Sequence, residues 1–253
     1  MERNFTEQAL ILTSRQAGED NRIITLLGPN RGVFEAMLYG GRKSRLRSLV
    51  SPWHSGIVWL YSDESKRTIK ITDFDPKFFR QSLRENLYKN MAASVATELV
   101  IKTKAAGENY DSWVLLCGFL DGLEFSDENA CKTGLLRFLW RYLGLLGIRP
   151  DSEHCILCGK NITEKNSEKD NVFQYSPAVG GFLCSECFHE KEFEINFQAL
   201  EYLNAIVTKK SSDSRKMPLS NNSYDQLRRF IFFLISNATE GQLKSLETAF
   251  QIL

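Results

Sequence analysis

Two cysteine pairs, Cys155-x2-Cys158 and Cys184-x2-Cys187, separated by 25 residues, constrain this chain more than any other feature of its sequence. Two residues between thiolates let one tight turn aim both sulfurs at a single ion, and two such turns complete the tetrahedron that zinc prefers. The stretch between the pairs fits that outline. Gly159–Asn171 is polar and loop-like, Val172–Tyr175 reads as a strand, Pro177–Gly181 as a turn, and Phe182-Leu183 leads into the second pair. A zinc ribbon is expected at about residues 150–192. The gap exceeds the usual roughly 15–20 residues, and Phe188 stands where the first pair is followed by Gly159. Four sulfurs close the coordination shell, so the expected Zn2+ is single and structural; a catalytic ion needs an open position. His154 and His189 flank the pairs and read as solvated side chains. Neither pair follows a proline and no His-x-Glu occurs, so the nucleobase-deaminase pattern is missing.

What cysteines do depends on compartment. The N-terminus, Met1-Glu2-Arg3-Asn4-Phe5-Thr6-Glu7, places acids where a signal peptide has a basic and then an apolar run, and no stretch of 18 apolar residues occurs. A cytoplasmic chain with no membrane association is expected. Thiols stay reduced there, so the four paired cysteines read as metal ligands rather than as disulfides or unrelated thiols. Cys117 and Cys131 fall within or beside helical segments and read as small buried residues.

The first 75 residues read as short strands broken by Gly, Pro and Asn: Ala9–Thr13, Arg22–Leu27, Val33–Tyr39, Ile57–Tyr61 and Arg67–Thr72. Five strands in such a length suit a small closed barrel, which removes exposed edges. An OB-type barrel fits best, because its loops and one face commonly bind single-stranded nucleic acid; pattern alone does not separate it from an SH3-like barrel. From about Phe79 the period becomes helical. Leu83, Leu87, Met91, Val95 and Leu99 predict one helix of about six turns. Trp113, Leu116, Leu120 and Leu123 mark a second, and Leu135 to Leu146 a third, ended by Gly147 and Pro150. Phe197–Val207, Tyr224–Ile235 and Leu243–Phe250 give three more, with Lys209–Asn222 as a polar loop. The fold class is therefore α+β and multi-domain. An OB-type barrel occupies residues 1–79, and a helical domain carrying the inserted four-cysteine zinc ribbon occupies residues 80–253.

The net charge of +1 hides an asymmetry. Residues 1–80 hold 13 Lys/Arg against 9 Asp/Glu, a net of +4, leaving 19 against 22, a net of −3, for the remainder. Between Asn21 and Ser62 the cations Arg22, Arg31, Arg42, Lys43, Arg45 and Arg47 face only Glu35. A basic field confined to one end points to a polyanion partner. Gly40-Gly41-Arg42-Lys43-Ser44-Arg45-Leu46-Arg47 concentrates it, with glycines that allow close backbone approach and arginines that fork onto phosphate oxygens. Arg22, Arg42, Lys43, Arg45 and Arg47 are accordingly the candidate DNA-binding residues. Trp53 and Trp59, just beyond, read either as base-stacking rings or as barrel core.

The common enzyme signatures are missing together. There is no phosphate loop, no Gly-x-Gly-x-x-Gly, no Gly-x-Ser-x-Gly and only three histidines. No catalytic residue is assigned, and a non-enzymatic role is expected. The alternative is a zinc-ribbon nucleic-acid enzyme, a metal-dependent nuclease or modifying enzyme that uses Asp73 and Asp75 with magnesium. Those two also read as turn residues before Pro76.

Several segments, in their order, resemble one family. They are Ala9-Leu10-Ile11-Leu12 with Arg15, Gly18-Glu19-x-Asn21-Arg22, Tyr39-Gly40-Gly41-Arg42-Lys43, Ser51-Pro52 and Glu98-Leu99. Arg137-Phe138 follows, with Leu145-Leu146-Gly147-x-x-Pro150, then Cys155-x-x-Cys158-Gly159 through Ser176-Pro177-x-x-Gly180-Gly181 to Cys184. From about residue 8 to 190 the chain resembles the RecO family of recombination mediators. Asn21 departs from it, standing where the family often has an acid. The resemblance implies an OB domain that binds single- and double-stranded DNA, a helical domain with a zinc module, and a cytoplasmic, nucleoid-associated place. It further implies strand annealing and, with RecR, loading of the recombinase RecA onto strands coated by the single-strand-binding protein SSB. Arg137 is the position it offers for the acidic C-terminal tail of SSB.

Overall fold

The computed structural model describes residues 3–40, 44–63, 67–163, 172–187, 193–241 and 243–253. Five strands, β1 (Asn4–Ala17), β2 (Asn21–Gly28), β3 (Gly32–Leu38), β4 (Ser55–Asp63) and β5 (Thr68–Phe78), close into a barrel in the order β1-β2-β3-β5-β4. Neighbours are antiparallel except β3 and β5, which are parallel at Met37 and Lys70. This is the OB order. β1 is long because it serves two partners: Asn4–Leu10 pairs with β4 and Leu10–Ala17 with β2, with a bulge between Ile11 and Thr13 where the strand turns from one to the other. Alternate residues face inward, and Ile11, Ile24, Leu26, Leu38, Val58, Leu60, Ile71 and Phe74 fill the barrel.

The stretch from Gly40 to Ser51, expected as an open loop, contains a helical turn, α1 (Arg45–Leu49). Its cause is the spacing of Leu46 and Leu49, three apart, which places both on one side to pack against the barrel core, while Arg45 stays exposed.

The single helix expected from Leu83 to Leu99 is two. α2 (Ser82–Glu85) ends at Asn86, whose backbone is extended (φ −118°, ψ 128°), and α3 (Leu87–Lys102) begins beyond it. The Asn86 side chain accepts the Lys89 N–H at 3.1 Å and caps the new helix. A strict period of four drifts about 40° per repeat around a helix with 3.6 residues per turn. Leu87 accordingly lies 58% exposed, while Ala92, Ala93, Val95, Ala96, Leu99 and Val100 make the buried face. α4 (Asn109–Glu124) follows, then α5 (Glu128–Leu145). Residues 1–131 and 243–253, the latter including α9 (Lys244–Ile252), form one compact unit, and residues 132–242 form a second.

In the second unit α5 ends in a Schellman turn. Gly147 sits at φ 73°, its N–H donates to Gly144 O at 3.1 Å, and Ile148 N–H donates to Leu143 O at 3.1 Å. β6 (Val172–Ser176) lies between β7 (Gly181–Leu183) and β8 (Phe193–Asn196) in an antiparallel sheet, β8 being a strand that the sequence pattern did not suggest. α6 (Phe197–Thr208), α7 (Ser211–Ser214) and α8 (Asn221–Ala238) complete the unit. The polar stretch Lys209–Asn222, expected as loop, thus holds α7 and the first residues of α8. Ser220 caps α8 by accepting the Ser223 N–H. The unit's core is aromatic: the Phe230 ring lies 4.8 Å from Tyr175, 5.3 Å from Phe182 and 6.1 Å from both Phe193 and Trp140. Among the described residues, no helix is long and apolar enough to cross a membrane.

Candidate metal centre and nucleic-acid interface

The first cysteine pair lies on a tight turn closed by Gly159 N–H donating to Cys155 O at 2.9 Å, with Gly159 at φ 72°. The second lies on a turn closed by Cys187 N–H to Cys184 O at 3.0 Å. A bond from Ile156 N–H to Phe182 O at 2.9 Å fastens the first turn to β7, two residues before Cys184. The result gathers all four Sγ atoms within 4.8 Å of one another, with Cys158 and Cys184 at 3.7 Å. A tetrahedron with metal–sulfur bonds of about 2.3 Å has edges of about 3.8 Å, so the four cysteines fit a metal ion held by sulfur alone. Close approach shifts the thiols in opposite directions. Burial pushes Cys155 up, but N–H groups of Cys158, Cys184 and Leu157 outweigh it and bring the thiol down to about 6, whereas the neighbouring thiols of Cys158 and Cys184 push Cys187 up to about 12. Four thiolates held this close would repel one another, and a cation bound among them would offset that repulsion. His154 is outside the cluster, its Nδ1 held 3.1 Å from Asp151; His189 lies outside the described residues. Burial pushes Cys117 up to about 12 and Cys131 up to about 11, which leaves both unreactive at neutral pH.

On the barrel, Arg42 and Lys43 lie outside the described residues. Arg22 is paired across β2–β3 with Leu38, so it sits at the root of the segment that carries residues 42–47. It is half-buried, with Nη1 3.4 Å from Ser14 Oγ. Arg45 is exposed at the start of α1; Arg47, in its last turn, is half-buried with a guanidinium nitrogen that has no hydrogen-bond partner. Arg31, equal to these in the sequence count, is tied down. It pairs with Glu7 at 3.1 Å and lies over the rings of Phe5 and Phe34. Glu35, the one acid of the basic stretch, is taken by Arg15 at 3.1 Å and does not neutralise its neighbours in sequence. Trp53 is core, 6% exposed, with Nε1 donating to Thr97 Oγ1 at 3.0 Å, whereas Trp59 is 37% exposed on β4.

Sequence reasoning passed over Lys70, Tyr39 and Tyr61, which β3, β4 and β5 bring together on the outer barrel face, and no local pattern announces them. Asp73 and Asp75 form no cluster with a third ligand among the described residues. Asp75 pairs with Lys77 at 2.6 Å, and Asp73 accepts the Phe74 N–H at 2.8 Å. In the second unit Arg137 is buried and donates to Tyr202 Oη at 2.7 Å. Burial, and then the nearby Arg137 and Arg215, pull the Arg141 guanidinium down, so three cations share this neighbourhood.

Barrel and cysteine centre together define an OB-barrel protein with a helical module that carries four cysteines placed to hold a metal ion. Residues 1–74 match the family model described as Recombination protein O N terminal, and residues 84–247 match that of Recombination protein O C terminal. The chain belongs to the RecO family. It is 26% identical over 249 residues to the DNA repair protein RecO of Symbiobacterium thermophilum, covering 96% of this chain and 95% of that one. The corresponding protein of Bacillus pumilus is 25% identical over 240 residues, at 94% and 80% coverage. That of Heliobacterium modesticaldum is 33% identical over 192 residues, at 74% and 67%.

Proposed function

We propose that this chain is a DNA-binding recombination mediator in DNA repair, which binds and anneals strands and makes or breaks no covalent bond. It holds single- and double-stranded DNA on an N-terminal domain of residues 1–79 through Arg22, Arg42, Lys43, Arg45 and Arg47. With RecR, it helps to load RecA onto SSB-coated single strands in the cytoplasm, at the nucleoid. The observation that carries this reading is the OB barrel whose cations gather at one segment, with the competing Arg31 and Glu35 engaged elsewhere. The ion at Cys155, Cys158, Cys184 and Cys187, in the domain of residues 80–253, is a structural Zn2+. Four thiolates and no open position favour it over harder cations. The acidic C-terminal tail of SSB docks near Arg137, where Arg141 and Arg215 add to the positive field.

Labelled complementary single strands incubated with the protein, with and without magnesium, test this. Annealing that needs no magnesium and leaves both strands intact is expected. Strand cleavage that appears with magnesium and disappears in Asp73→Asn/Asp75→Asn would instead establish a nuclease.

A further inference from the structure

The outer face of the barrel carries aromatic rings that the core does not require. Tyr39, one residue beyond β3, is 46% exposed, and Trp59 on β4 is 37% exposed. Tyr61 shares the Trp59 face of β4, two residues on. Between the tyrosines stands Lys70 of β5, paired in register with Tyr61 on one side and Met37 on the other. Its Nζ lies 5.8 Å from the Tyr39 ring centre and 5.4 Å from that of Tyr61, and donates to Asp63 at 3.1 Å. Asp63 thus compensates the ammonium, whose remaining task is to hold the two rings around it. A face built this way offers flat π surfaces and little net charge.

We propose that Tyr39, Tyr61 and Trp59 form a stacking platform for unpaired nucleobases; this rests on the barrel being the DNA-binding domain. Residues two apart on a strand are separated by about 6.8 Å, twice the roughly 3.4 Å rise between stacked bases, so one base fits between the levels of Trp59 and Tyr61. Beside Trp59 opens a recess of about 520 Å3 lined by Asn4, Phe5, Thr6, Leu60 and Thr72, within the size range of small-ligand sites. Tyr39 directly precedes Gly40 and the cationic segment. Labour is therefore divided along the chain: phosphates go to the segment from residue 42 to 47, and bases go to the rings beside it. Paired bases, stacked within a duplex, cannot reach such a platform, so it favours single strands.

Equilibrium binding of oligothymidine and of an abasic oligonucleotide of equal length, which has the same phosphates and no bases, tests the platform. The wild type should prefer oligothymidine by about 5- to 150-fold per stacked base. Tyr39→Ala/Trp59→Ala/Tyr61→Ala should lose that preference and keep its salt dependence, while the corresponding triple Phe variant should retain both. Equal wild-type affinity for the two strands, with steep salt dependence, would overturn the platform and leave the DNA-binding reading standing; this comparison decides even if the triple Ala variant fails to fold. A persistent preference in a folded triple Ala variant would overturn the platform as well. Failure of the wild type to bind either strand at low salt would remove both.

Discussion

Arg80 is only 2% exposed, yet its guanidinium donates to Trp53 O at 2.6 Å and Ser55 Oγ at 3.0 Å and pairs with Asp121 of α4 at 2.7 Å. A cation so engaged is part of the framework. His54, beside it, is buried with Nδ1 3.0 Å from Leu49 O and Nε2 3.3 Å from Arg84 Nη2. With Nδ1 donating to the carbonyl, Nε2 must accept, and a second proton there would face the guanidinium. Burial, followed by Arg84 and Arg80, lowers the His54 pKa below 6.5 despite the Leu49 bond and Glu124. The unfolded chain therefore takes up the proton first as pH falls. His54 thus contributes stability that is complete above about pH 6.5 and is lost progressively as pH drops from there towards the folded value. Urea midpoints measured at about pH 7.5 and pH 5 should fall more for the wild type than for His54→Gln. By charge alone Arg22, Arg31, Arg45 and Arg80 count alike. What separates the free from the engaged is partners on other strands and helices, such as Glu7 for Arg31 and Asp121 for Arg80. Those depend on a register that composition does not reveal.

Among the elements, strands were more legible than helix boundaries. All five barrel strands stand where β-branched and aromatic residues clustered, and the cysteine spacing announced the ribbon. α1 and the break at Asn86 were hidden because each hinges on one side chain, a leucine packing or an asparagine capping, inside a longer pattern. β8 was hidden because its four residues are too short to show alternation. The same dependence on single side chains governs α9. Glu98 of α3 accepts the N–H groups of Ser245 at 2.9 Å and Lys244 at 3.3 Å, serving as an N-cap supplied from another helix. Glu98→Ala should cost about 1–2 kcal/mol. Amide exchange should accelerate in residues 244–248 before it does in the barrel. For the ribbon, β6 and β7 share the Phe230 cluster with α8, so the metal site and the aromatic core form one cooperative piece. A structural zinc contributes about 10–16 kcal/mol, more than the usual margin of roughly 5–15 kcal/mol. Cys184→Ser should lose stoichiometric metal and the exchange protection of β6 to β8 and α8, while the barrel strands stay protected. Full metal content with unchanged protection would contradict this.

At the scale of the whole molecule, a chain of net charge +1 carries its excess of cations in residues 1–80. Association with a polyanion should be governed by that end. Each single-strand phosphate neutralised contributes about −0.7 to the slope of log affinity against log salt. Replacing Arg42, Lys43, Arg45 and Arg47 together by Ala should flatten the slope by about 3, equally for every base sequence. An unchanged slope would move the phosphate contacts off this segment. The two units differ in how the chain builds them. Residues 132–242 are continuous, whereas the barrel's unit needs residues 243–253 as well. During synthesis, everything required for the ribbon and its aromatic core has been made before α9 exists. α3 must wait for α9, and the surface that receives it stays uncovered until then. Of the two units, the one that contains the barrel, although begun first, is thus the later to be completed.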